Sequence, residues 1–177
     1  AAYGAAVGER LGLAGDDLRA LRRGGFLHDV GKIAVPDSIL LKAGPLTTAE
    51  YDVMKRHTIV GDELCAGLVS LKKARSIIRH HHECLDGSGY PDGLTGEAVP
   101  LLAQIIGMVD VFDALTTDRP YRPALSEDTA REHLREDVRC GRRRADLIEC
   151  LFAVLRDTSA GKNGRHVAHP IPERRTQ

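Results

Sequence analysis

A chain of 177 residues supports one domain with a real core, and two full domains would be a tight fit. Lysine plus arginine and aspartate plus glutamate each number 25, so the formal net charge is zero. No global field then recruits a nucleic-acid polymer or a membrane surface, and any anion site must be local.

In chain order, Val7, Leu11 and Leu13, then Leu18, Leu21, Phe26 and Leu27, fall into two helical patterns separated by Gly15 and the capping candidate Asp16. The second pattern ends in LHDVGK, residues 27–32. The stretch VPDSILLKAGP, residues 35–45, has turn chemistry at both ends and predicts a short ordered connection. A strong helix start follows, with Thr47 as N-cap, Glu50 as its capping-box partner and Leu46 against Tyr51 as a hydrophobic staple. That helix carries His57 and is expected to run on towards Leu68.

A further helix through Ile77 and Ile78 delivers His80, His81 and His82 to its end. Gly87, Gly89, Pro91, Gly93 and Gly96 then make a long irregular loop, of a kind that is usually functional or disordered. The next helix, about 101–115, is apolar nearly all round and predicts the buried centre of the domain. Gln104, Asp110 and Asp113 interrupt it well short of a bilayer span. Helices near 126–139 and 146–155 complete the pattern, and no run alternates convincingly at strand period. The expectation is an all-α helical bundle over residues 1–156 with a disordered tail over 157–177.

Four cysteines, Cys65, Cys84, Cys140 and Cys150, form no C-x-x-C pair and staple no small secreted scaffold. They read as reduced thiols in a cytoplasmic protein. Cys84 lies beside the histidines and is either a ligand or, as is commoner for a free cysteine, a small apolar residue.

His28 and Asp29 are adjacent at a helix end, where they form either a solvated polar pair or part of a metal site. Asp110 lies within IIGMVDVFDAL, and a carboxylate there requires a partner: a cation such as Arg119, a helix end to hydrogen-bond, or a metal. With His57, His81 and His82 these make six residues of ligand type on four helical segments. Such a mixed set suits iron, manganese or zinc, and does not suit calcium. In TDRPYR, Arg119 and Arg122 are either solvated cations or a guanidinium pair for phosphate. Arg142, Arg143 and Arg144 read as a solvated cluster at a helix start.

Taken together, LHDVGKIAVPDSILLKAGPLT, MKRHTIVGDEL and HHECLDGSGYPDGLTGEAVPLLAQIIGMVDVFDALTTDRPYR resemble the HD-GYP family, the bacterial branch of the HD phosphohydrolase superfamily that cleaves cyclic di-GMP. The likeness runs from Leu11 to about Ser126. It implies an HD-type helical bundle with a long GYP loop and a cluster of two divalent metal ions, or three, with iron or manganese as the leading identities. By the same likeness Asp29 bridges the metals and His28, His57, His81, His82 and Asp110 complete their shell. Asp29 and Lys32 carry the catalysis, while Lys32, Tyr90, Arg119 and Arg122 hold the substrate. Arg122 stands where relatives have lysine. Glu83 is expected to accept a hydrogen bond that orients an imidazole.

The products implied are linear pGpG and, after a second cut, GMP. The implied partners are cyclic di-GMP, a diguanylate cyclase (GGDEF-type) domain docking on the GYP loop, and a sensor or receiver domain on the full-length protein. Relatives carry a further metal-binding histidine on the first helix; here that register falls just before Ala1, so the first helix is expected to begin upstream. Two alternatives stand beside this reading. One is a catalytically impaired module that serves as a cyclic di-GMP receptor or interaction domain, and the other is an HD phosphohydrolase acting on different nucleotides.

Overall fold

The computed structural model describes residues 2–118 and 122–163 of the chain, with side chains as far as residue 158. Every regular element among them is helical, and an isolated bridge of extended backbone pairs Asp86 with Thr95. The order is α1 (Ala2–Arg10), α2 (Gly15–Leu27), a 3-10 turn (Val30–Ala34), α3 (Asp37–Leu40), α4 (Thr48–Lys55) and α5 (His57–Cys65). A second 3-10 turn (Val69–Leu71), α6 (Lys72–His80), a third 3-10 turn (Gly96–Ala98), α7 (Leu101–Thr116), α8 (Glu127–Arg139) and α9 (Ala145–Asn163) follow. Among the described residues no helix is long and apolar enough to cross a membrane.

As its composition predicts, α7 is the centre. Ala103, Ile105, Ile106, Gly107, Met108, Val109 and Phe112 are all buried along it, and α1, α2, α6, α8 and α9 pack around it. Leu21, Ile77, Leu134, Ile148, Leu151 and Phe152 close this core, each at most 1% exposed. Burial of each such side chain contributes about 1.5–3 kcal/mol, which makes this half of the molecule the rigid base. A smaller cluster of Cys65, Leu71, Ala74 and Ile78, backed by Leu27 and Val30, joins α5 to α6. It lies directly beneath the segment that carries His28 and Asp29.

The capping box forms as the sequence predicts, with the Glu50 N–H donating to Thr47 Oγ1 and the Thr47 N–H donating to the Glu50 carboxylate. The helix beyond it does not run unbroken towards Leu68. It divides at Arg56, because His57 Nδ1 and Thr58 Oγ1 bond to the carbonyls of Met54 and Lys55 at 2.7 and 3.0 Å and compete with the main-chain ladder. Asp16 is not a cap either; it lies in the first turn of α2, behind Ala14, and accepts from Arg19. Phe26 is exposed at the surface, since the inward face of α2 is Ala20, Leu21, Gly24 and Gly25.

The last helix overruns the expected boundary at residue 156. It continues to Asn163, with Asp157 paired to Arg10 at 2.9 Å and Thr158 Oγ1 donating to the Val154 carbonyl. Residues 164–177 lie outside the described residues. The arginine cluster is also more structural than a solvated reading allows. Arg142 and Arg143 pair with Asp137, Arg144 pairs with Asp146, and the Arg143 side chain is largely buried.

Candidate metal centre

Four chain segments converge on one point between α5, α6 and α7. His28 caps the C-terminal end of α2 and Asp29 opens the following 3-10 turn. His57 is the first residue of α5, His80 to His82 finish α6, and Asp110 projects from the middle of α7. Two glycines permit this convergence. A Cβ on Gly31 would fall 1.9 Å from the carbonyl oxygen of His57, and one on Gly107 would fall 2.0 Å from that of His81. Only a residue without a side chain lets backbones approach so closely, and each contact sets one ligand-bearing segment against another.

The convergence is tight. Asp29, His57, His81 and His82 each offer a ligand atom, all within 4.8 Å of one another. His28 Nε2 stands 3.4 Å from both Asp29 Oδ2 and Asp110 Oδ1, and His57 Nε2 stands 3.4 Å from Asp29 Oδ1. The six predicted ligands therefore form one cluster in which Asp29 faces both halves.

Three of the imidazoles are anchored in the same way. Nδ1 of His28, His57 and His81 donates to the carbonyls of Gly25, Met54 and Ile78 at 3.0, 2.7 and 2.9 Å. Each main-chain bond fixes the tautomer and leaves Nε2 as a bare lone pair. Nε2 of all three, together with Asp29 Oδ1, is buried with no hydrogen-bond partner among the described residues. Buried polar atoms are nearly always paired. Four of them in one cluster of imidazoles and carboxylates make an environment that a divalent cation fits.

Electrostatics agree. Burial holds His57 below its ordinary pKa and pushes His81 and His82 down to about 4 and about 2, so all three present neutral imidazoles at neutral pH. Burial also opposes charge on His28, but the nearby Asp110 and Asp29 carboxylates outweigh it and raise its pKa. In the opposite sense, contact with His28 overrides burial and holds Asp110 well below the usual carboxylate range. A field that draws a proton to this spot draws a metal cation more strongly.

The remaining predicted residues divide. Lys32 Nζ lies 2.6 Å from Asp29 Oδ2, inside the cluster. The Tyr90 ring stacks on His82, with centroids 4.8 Å apart and planes at 28°, and Tyr51 meets it edge to face at 6.2 Å. Burial raises the Tyr90 pKa, and Tyr51 adds to the effect. Arg122 is half-buried; its Nη2 donates to the Ala114 and Leu115 carbonyls and caps the C-terminal end of α7. Arg119 lies outside the described residues. Asp113 is exposed, and Cys84 is not among the clustered ligands.

Glu83 is the clear correction. It orients no imidazole directly; its oxygens accept the main-chain N–H groups of Asp92, Gly93 and Leu94 at 2.7, 3.1 and 3.0 Å. Tyr51, Arg79 and Asp92 were not predicted as parts of this site. Arg79 grips Asp92 with two 2.8 Å bonds, and His80 adds a third contact at 3.0 Å. An arginine directly ahead of the histidine run and an aspartate directly behind GYP are the only sequence signals of that pairing.

A family model described as an HD domain matches residues 1–142. The chain is 50% identical over 130 residues to the cyclic di-GMP phosphodiesterase response regulator RpfG of Xanthomonas campestris pv. campestris, a match covering 72% of this chain and 34% of that protein. It is 36% identical over 138 residues to the 3'3'-cGAMP-specific phosphodiesterase 3 of Vibrio cholerae, covering 78% and 30% respectively. Among solved structures, the HDG"Y"P protein Bd1817 from Bdellovibrio bacteriovorus superposes with a TM-score of 0.71 at 22% identity, over 87% of this chain and 49% of that one. The chain thus spans about a third of the length of these curated relatives.

Proposed function

This chain belongs to the HD domain family, and we propose from that premise that it is a metal-dependent phosphodiesterase that opens cyclic di-GMP to linear pGpG, with GMP as the product of a second cut. The observation that carries the reading is the set of buried, partnerless Nε2 and Oδ1 atoms converging from α2, α5 and α6. His28, Asp29 and Asp110 would hold one divalent ion and Asp29, His57, His81 and His82 a second. Imidazole mixed with carboxylate favours iron or manganese over calcium.

When bound, such ions acidify water and cancel the charge that builds on a phosphoryl group. The chain's own residues do the rest. Asp29 is oriented by Lys32, whose ammonium is near enough to donate to a phosphate oxygen as the substrate enters. Tyr90 walls the cluster on the His82 side and keeps water from that face. Arg119 is the phosphate contact of this reading, and Arg122 holds the segment after α7 in place. RpfG is named a response regulator. A sensor or receiver domain on the full-length protein, a GGDEF-type partner at the GYP loop and a cytoplasmic location, consistent with four free cysteines, belong to the same reading.

The test is product analysis. The purified chain is incubated with manganese or ferrous ion and cyclic di-GMP, with 3'3'-cGAMP in parallel, and nucleotides are separated by ion exchange. Release of pGpG from cyclic di-GMP, lost in His28→Ala, is the expected result. Tight binding of cyclic di-GMP with no pGpG selects the receptor function instead, and a preference for 3'3'-cGAMP changes the substrate.

A further inference from the structure

Three of the four clustered imidazoles are oriented by an Nδ1 bond to a carbonyl; His82 is the exception. Among the described residues neither of its ring nitrogens makes a hydrogen bond; the rings of His81 and His57 lie 4.1 and 5.2 Å from it, and Tyr90 stacks on it at 4.8 Å. Tyr90 in turn is held by its loop and by the edge of the Tyr51 ring at 6.2 Å. Its N–H donates to the His82 carbonyl at a long 3.3 Å, so the firm attachments of the loop come after it, at residues 92–94.

Those attachments converge on Glu83. The side chain is 3% exposed, and both oxygens are taken by consecutive main-chain N–H groups, two on Oε1 and one on Oε2. Hydrogen bonds to an ionised acceptor are about twice as strong as neutral ones, and three in a row fix the backbone of the turn. On the outer side Arg79 and His80 hold the Asp92 carboxylate. The loop is therefore framed from both faces by residues of the α6 end that also supplies His81 and His82.

We propose that Glu83 is a positioning residue for the His82 imidazole, acting through the 90–94 turn and the ring of Tyr90. It replaces, by a relay of main chain and aromatic face, the carbonyl bond that orients His28, His57 and His81. The inference rests on the reading of His82 as a metal ligand. Residues that orient a ligand in this way typically change metal affinity by about 10–100-fold when removed.

Cobalt(II) binding, followed through its visible absorption bands, tests this apart from catalysis. Glu83→Gln keeps the volume but presents an NH2 to one of the three N–H donors. It is expected to weaken cobalt binding about tenfold and to alter the band shape. In a Tyr90→Leu background the same change is expected to shift affinity less than about twofold, because the relay is already cut. Unaltered cobalt affinity and spectrum in Glu83→Gln, or a full effect persisting in Tyr90→Leu, overturns the proposal. Should Glu83→Gln not fold, Tyr90→Leu and Tyr90→Phe decide. Loss of affinity in the first and recovery in the second support the relay, and equal affinity in both overturns it. A wild-type chain that shows no cobalt bands at all defeats the metal reading itself, which separates that failure from failure of the relay.

Discussion

His81 and Glu83 are two residues apart, at 1% and 3% exposure, and the fold treats them in opposite ways. Glu83 has both oxygens saturated by N–H groups of the chain. His81 is anchored through Nδ1, yet its Nε2 meets no partner among the described residues. A buried polar group that the chain itself completes is architecture. One that is aimed and left incomplete, beside three others like it, marks where a charged ligand contributes to the structure.

The largest effect should come from breaking the incomplete set. Asp29→Ala removes the carboxylate that faces both halves of the cluster, and cyclic di-GMP turnover should fall about 10³-fold while the thermal unfolding transition stays cooperative. Turnover within a few-fold of wild type would show that chemistry occurs elsewhere.

Next come the contacts that press the two kinds of site together. Gly31→Ala and Gly107→Ala each drive a methyl into a main-chain carbonyl that has no freedom to retreat. Each should cost about 3 kcal/mol or more, or roughly 6–12 °C in Tm. A neutral result at either position would mean that the segments are not so closely apposed.

Acid sharpens the comparison without a mutation. In the metal-free chain His57, His81 and His82 have pKa values below the ordinary 6.5, chiefly through burial, with His81 near 4. Between pH 6.5 and 4 the unfolded chain therefore binds more protons than the folded one, and stability falls as pH falls. His28 acts oppositely, since its raised pKa gives stability that is full below 6.5 and lost as pH rises through the folded value. Asp110, with a lowered pKa, adds its own loss only below 3.8. Three groups act against one, so the net effect is acid destabilisation, visible as a Tm lower at pH 4.5 than at pH 7. Saturating metal should steepen the fall, because protons then compete with the ion.

The smallest effect belongs to a completed site. Arg122→Ala removes the cap on the end of α7 and should lower Tm by about 2–4 °C, for a loss of about 1 kcal/mol. A drop beyond 10 °C would mean that the segment after α7 carries more of the fold than one cap.

The helical periods were readable because each reflects a local choice between burial and solvent. The apolar run of 101–115, the Thr47 box and the helix from Ser126 all appear where the pattern places them. The breaks were harder to read. The division at Arg56 depends on where the His57 and Thr58 side chains turn, and the exposure of Phe26 depends on α2 meeting α6 through Gly24, whose Cβ would lie 2.5 Å from Ile77. The six ligand-type residues could be listed in order, but their distances could not. Glu83 was assigned to the wrong partner for the same reason: the donors that reach it lie nine to eleven residues away, across a loop with no periodic signal.

By itself the sequence determined the helical class, the identity of the central helix and the inventory of histidines and carboxylates, since composition and period act over one or two turns. Tertiary structure alone decided which nitrogen of each imidazole stays bare, which carboxylate joins the cluster and which closes a loop, and what Arg122 holds. Those outcomes turn on backbone approaches of a few ångströms between segments far apart in the chain, and side-chain identity does not encode them one residue at a time.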